Sequence, residues 1–166
     1  MENPSPVRKF SVAALIISLL ITLAIDIAAA LIIAPNISGW YNMLALPAFN
    51  PPTIVFPIVW TVVYVLIAIS AYLVWQKRDG STSFLTCRAV YIMQLALNFL
   101  WSAVFFGLHS IVGGLLIIIL LWMVILLNIR WFGKLSRLAS WLLLPYFLWV
   151  SFAAILNYSI FNLNHH

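Results

Sequence analysis

Hydrophobic positions fall into five long runs, residues 10–34, 54–76, 84–107, 111–132 and 138–161, separated by short stretches that collect most of the charged residues. Each run reaches the roughly 20 apolar residues that a helix needs to cross bilayer hydrocarbon. In lipid the backbone must satisfy its own hydrogen bonds, which a helix does within one segment. The pattern predicts an all-α integral membrane protein: one domain over residues 1–166, built as a bundle of five transmembrane helices. The first run follows Arg8 and Lys9, as the apolar core of a secretory signal would. It is too long for such a core, and Pro35-Asn36 offers no small-x-small cleavage site, so it reads as a retained helix. No solenoid-type repeat is visible.

Composition sharpens this picture. Of 166 residues, 66% are hydrophobic and 7% charged, too little polar surface for a soluble domain of this size. Cys87 stands alone, so no intramolecular disulfide or thiolate cluster is expected. His109, His165 and His166 form no ligand set, and no metal is expected; the terminal pair is either native or the stub of a tag.

The net charge of +5 could suggest nucleic acid, but its distribution points to a membrane instead. Arg8 and Lys9 precede helix 1, Lys77, Arg78 and Arg88 lie at the helix 2–3 junction, and Arg130, Lys134 and Arg137 at the helix 4–5 junction. With five spans all eight basic residues fall on one side. The positive-inside rule then gives a cytoplasmic N-terminus and an outside C-terminus; the cell membrane of a prokaryote is the expected location.

Tryptophans Trp75, Trp131 and Trp141 at the inner ends and Trp40 near the outer boundary read as an interfacial belt. Trp60, Trp122 and Trp149 fall inside their spans, and Trp101 is intermediate. Trp122 has no polar neighbour at helical spacing and reads as packing or lipid-facing. Asp26 is the one ionisable residue deep in a span, a position that is costly and by default functional. It is expected to be protonated, or hydrogen-bonded to Asn98, a tyrosine or water. The stretch after helix 1 carries no charge and several prolines, which stiffen it, so it is expected to fold back as a capping loop on the helix ends.

This stretch carries a resemblance. It reads Trp40-Tyr41, Leu44, Pro47, Phe49 and Pro51-Pro52, and is followed by Phe56-Pro57 and Trp60-Thr61 with Tyr64. Helix 3 shows Gln94, Asn98, Trp101-Ser102 and Phe105-Phe106-Gly107; helix 5 shows Leu144-Pro145-Tyr146 and Trp149. These elements, in this order over nearly the whole chain, resemble the TspO/MBR family of translocator and tryptophan-rich sensory proteins. Two positions depart from the family pattern: Phe49 where a Trp is usual, and Leu46 where a Lys is common.

The resemblance implies a pocket between the helices, under the 35–53 loop, that binds tetrapyrroles such as protoporphyrin IX as ligand rather than cofactor. Sterols and benzodiazepine-type compounds are further ligands of some members. The residues expected to line the pocket are Tyr41, Pro51, Trp60, Tyr64, Asn98, Trp101, Trp149, Ala153 and Asn157. Their types suit a flat apolar ring, because aromatic faces surround a few polar groups. Gln94 and, less readily, Asn98 also read as interhelical glue. Two sterol-type patterns, Leu66/Tyr72/Lys77 and Arg88/Tyr91/Leu95, are weak signals.

Three functions compete: a porphyrin receptor or sensor, a light-driven porphyrin-degrading catalyst using Trp60 and Trp149, and a transporter of porphyrins or sterols. No inverted repeat supports the third. A homodimer is expected through Ala103-x-x-x-Gly107, a small-x-x-x-small step.

Overall fold

Serine hydroxyls begin four of the helical segments. Ser11 accepts from the Ala14 amide at 3.3 Å, Ser81 from Phe84 at 3.2 Å, Ser110 from Gly113 at 3.1 Å and Ser136 from Ala139 at 3.3 Å. Each satisfies an amide that the first helical turn leaves unpaired. The computed structural model describes residues 10–165, and among them five helices are long and apolar enough to cross a membrane: α1 (Val12–Tyr41), α2 (Val55–Gln76), α3 (Thr82–Gly107), α4 (Ile111–Leu135) and α5 (Arg137–Asn164). No strand occurs among the described residues. Arg8, Lys9 and His166, used above for charge and composition, lie outside them.

Helix α1 runs further than its apolar pattern suggests. Pro35 has no N–H to give the Leu31 carbonyl, which normally ends a helix. Here Asn36 Nδ2 donates to the Ile32 carbonyl at 2.8 Å, and the chain continues through a π-helical turn, Ile37–Tyr41. Trp40 and Tyr41 therefore belong to α1, and the connection to α2 is only residues 42–54. Helix α3 also ends in a π turn, Ala103–Gly107. Helix α5 is two pieces, Arg137–Leu142 and Leu144–Asn164, and Pro145 sits in the first turn of the second. Pro57 likewise lies in the first turn of α2, where its missing N–H has no intrahelical partner to lose.

The most extensive packing joins α3 to α4 and α4 to α5, followed by α1 to α2. Gly114 makes the first possible, since a Cβ there would lie 2.9 Å from Phe105 Cβ. Gly107 faces Ile32 of the same chain, 3.2 Å from an added Cβ, so the small step in α3 admits α1. Helix α1 stands at the edge of the bundle: within Val12–Asn36 only Thr22 and Ala29 are buried. Ser18 Oγ pins it to α2 by donating to the Ala68 carbonyl at 2.8 Å.

The two ends of the bundle differ. At the basic end, Arg78 lies 3.4 Å over the Trp75 ring and Lys134 3.5 Å over Trp131, cation–π contacts that hold charge beside the belt. The α2–α3 turn there uses Gly80 at φ 75, and hydrogen bonds from Ser81 hold the Asp79 carboxyl below its usual range. At the loop end His109 stacks on Trp40 with ring centroids 4.7 Å apart and bonds Asn36 Oδ1 through Nε2 at 2.8 Å.

Candidate functional site

Because α1 leans on α2 and α3 without being engulfed, two cavities open along its length. The one toward the basic end is about 750 Å³ and is walled mainly by apolar side chains, with Arg88 among them. The one toward the loop end is about 600 Å³, and its walls include Tyr41, Trp60, Tyr64, Asn98 and Trp101 together with Asp26 and Thr61. Pockets for small molecules are mostly apolar with a few placed polar groups. Size alone favours the first cavity; the placed polar groups favour the second, which is taken as the candidate site.

Asn98 is the hinge of its polar wall. Tyr64 donates its hydroxyl to Asn98 Oδ1 at 2.8 Å, and Asn98 Nδ2 donates to the Tyr146 hydroxyl at 2.9 Å. One side chain thus ties α2, α3 and α5 together, with all three residues buried. The aromatic wall is continuous. Trp60 lies 6.1 Å from Trp101 and 5.9 Å from Tyr64, centroid to centroid, and Trp101 stacks on Phe105 at 5.7 Å. The Trp101 indole N–H is buried with no hydrogen-bond partner.

Pro51, Trp149, Ala153 and Asn157 do not line this cavity. Trp149 stands behind Trp60, edge to face at 6.3 Å, and its own indole N–H has no partner. Ala153 and Asn157 are buried on α5, and both amide atoms of Asn157 lack partners, as do those of Gln94 and Asn128. Pro51 lies in the α1–α2 connection. That connection is tied down by Tyr41, whose hydroxyl donates to Asn50 Oδ1 at 2.8 Å. Asn164, at the end of α5, exchanges two bonds with the backbone of Ala45, at 2.9 and 3.0 Å.

Asp26 is bonded to neither Asn98 nor a tyrosine; its partner is Thr61, whose Oγ1 donates to Oδ2 at 3.4 Å. The two face each other because α1 and α2 pack side by side. Trp122 also differs from its sequence reading, since its indole donates to Ser151 Oγ at 2.9 Å across α4 and α5. Sequence reasoning passed over Thr61, which lines the cavity, and Tyr146, which braces its wall through Asn98. Both lie in quoted motif stretches, Thr61 beside Trp60 and Tyr146 one helical turn before Trp149. Both sterol-type patterns contribute to the other cavity, through Tyr72, Arg88, Tyr91 and Leu95. Among the described residues no three His, Cys, Asp or Glu come together as a metal site.

The sequence has known relatives. The family model for TspO/MBR matches residues 14–163, nearly the whole chain. The chain belongs to the TspO/MBR family. It is 40% identical over 150 residues to the tryptophan-rich protein TspO of Archaeoglobus fulgidus, covering 90% of this chain and 96% of that one. It is 37% identical over 125 residues to the tryptophan-rich sensory protein of Cereibacter sphaeroides, covering 75% and 77%. The human translocator protein is 34% identical over 128 residues, covering 76% and 75%. As a TspO/MBR protein with five apolar helices, the chain is an integral membrane protein.

Proposed function

We propose that this chain is a membrane receptor that binds a tetrapyrrole, of which protoporphyrin IX is the model, in the loop-end cavity. The sensory and translocator relatives support the receptor role. The observation that carries the ligand is the aromatic wall of Trp60 and Trp101 beside the Tyr64–Asn98–Tyr146 chain. Offset aromatic contacts contribute about 0.5–1.5 kcal/mol per pair beyond area burial, so a macrocycle gains from both indoles. The Trp101 N–H, buried without a hydrogen-bond partner, is the spare donor on this wall. The orientation that goes with this places the N-terminus and the basic end in the cytoplasm, with the α1–α2 connection outside.

Titration of protoporphyrin IX into the detergent-solubilised chain should quench tryptophan fluorescence to saturation, and Trp101→Leu should weaken the binding. Unsaturable quenching, matching that of free tryptophan, would overturn the proposal. A second reading, light-driven breakdown of the bound ring, draws on the Trp60–Trp149 contact, which gives an excited macrocycle two indoles in series as electron donors. Loss of porphyrin absorbance only under light, with dioxygen as the oxidant, is its mark.

A further inference from the structure

Asp26 plays no part in binding a tetrapyrrole as described, yet it is a carboxyl group placed within a membrane span. Charged side chains in such positions are rare, costly and turned toward cavities or partners. Asp26 is turned toward the loop-end cavity. Thr61 Oγ1, at 3.4 Å from Oδ2, is its only hydrogen-bond partner among the described residues. That bond is long, beyond the usual range for a hydroxyl donor. Oδ1 is left with no donor. No Lys, Arg or His is among the described residues lining this cavity, and the connection above it is uncharged. The carboxyl group therefore has no basic partner among the described residues that line this cavity, while the same walls hold Tyr41, Trp60 and Trp101. Aromatic faces attract a cation through their quadrupole, so the carboxyl and the rings favour the same charge.

We propose that Asp26 and Thr61 form an acidic subsite of this cavity, which takes the protonated amine of a ligand whose flat ring lies against Trp60 and Trp101. The inference rests on the reading of this cavity as the ligand site, though not on a tetrapyrrole as its occupant. It also sets a charge preference. A ligand carboxylate next to Asp26 meets like charge, so an acidic tetrapyrrole enters with its carboxylates turned toward the α1–α2 connection. If Asp26 served only to pair α1 with α2 through Thr61, ligand charge would make no difference.

Three probes with one ring separate these cases: 1-pyrenemethylamine, 1-pyrenemethanol and 1-pyrenecarboxylate, followed by tryptophan-to-pyrene energy transfer in a neutral detergent. The wild-type chain should bind the amine about 10- to 100-fold more tightly than the alcohol, the range for a hydrogen bond to a charged group, and the carboxylate most weakly. Asp26→Asn should remove the amine's advantage, and Asp26→Glu should keep part of it. An alcohol that binds as well as the amine to the wild-type chain overturns the subsite, with no variant needed. So does an amine-to-alcohol ratio that Asp26→Asn leaves unchanged. Protoporphyrin IX in parallel separates the two proposals. Amine preference without porphyrin binding sinks the tetrapyrrole reading alone, and porphyrin binding without amine preference sinks the subsite alone.

Discussion

The Tyr64 hydroxyl donates to Asn98 Oδ1 at 2.8 Å, in a buried position between α2 and α3. Asn98 passes the link on to Tyr146, so its amide is committed on both sides before any ligand arrives. The residue is a brace for the cavity wall, and its effect on binding follows from holding Tyr64 and the Trp60 face in place.

Asn98→Leu should therefore cost stability as well as affinity. It removes two interhelical bonds and strands two hydroxyls; each such bond is worth about 0.6–2 kcal/mol in a membrane bundle, giving about 1–4 kcal/mol in total. Tyr64→Phe and Tyr146→Phe should each cost less. Thermal unfolding in detergent checks this, and Tyr64→Phe combined with Asn98→Leu should be less than additive. Additive losses would mean that the two side chains do not act as a pair.

Gly114→Ala should destabilise by about 1–3 kcal/mol, the range for overpacking a core, because its methyl group meets Phe105. Gly39→Ala is the control, with nothing within 4 Å of an added Cβ. Equal melting temperatures for the two variants would mean that α3 and α4 do not approach as closely as described.

Single cysteines at Ser38 and Thr82, both exposed, report the orientation in a Cys87→Ser background. A membrane-impermeant thiol reagent added to intact cells should label Ser38→Cys and spare Thr82→Cys. The reverse pattern would invert the orientation drawn from the basic residues.

Trp149→Phe should leave porphyrin affinity within about threefold, since Trp149 stands behind Trp60 rather than in the cavity wall and an aromatic ring remains. Any light-driven breakdown should fall, because a phenyl ring is a poorer electron donor than indole. Trp75→Phe, at the basic end, should alter neither. If breakdown is unaffected by Trp149→Phe, the Trp60–Trp149 pair is packing only.

Much of this fold was legible because lipid leaves the chain few options. Apolar runs long enough to span had to be helices, and five were found where five were expected. The limits of α1 were not legible. Pro35 and Asn36 look like a helix end, and nothing in a local pattern says that the Asn36 side chain and a π turn will carry the helix on to Tyr41. Cavity residues on α2 and α3 were readable, because Trp60, Tyr64, Asn98 and Trp101 share motifs and helical faces. On α1 only Tyr41, which shares the loop motif, was readable as a pocket residue. Asp26 was noticed for its charge, but its pairing with Thr61 depends on how α1 is rotated against α2. Trp149, Ala153 and Asn157 follow the right face of α5 by spacing, yet the interposed Trp60 and the rest of the core keep them out of the cavity, which periodicity cannot show.

Filling each cavity in turn tests the central claim most directly. Ala30 lines the loop-end cavity and Ala96 the basic-end one, and both side chains are exposed enough to take a larger group without breaking the core. Protoporphyrin IX affinity is measured by fluorescence titration for the wild-type chain, Ala30→Phe and Ala96→Phe. The account expects Ala30→Phe to weaken binding by about tenfold or more, the cost of roughly 1.4 kcal/mol in lost contacts, and Ala96→Phe to leave it unchanged. Loss with Ala96→Phe and normal affinity with Ala30→Phe would contradict it, and would move the site to the basic end of the bundle.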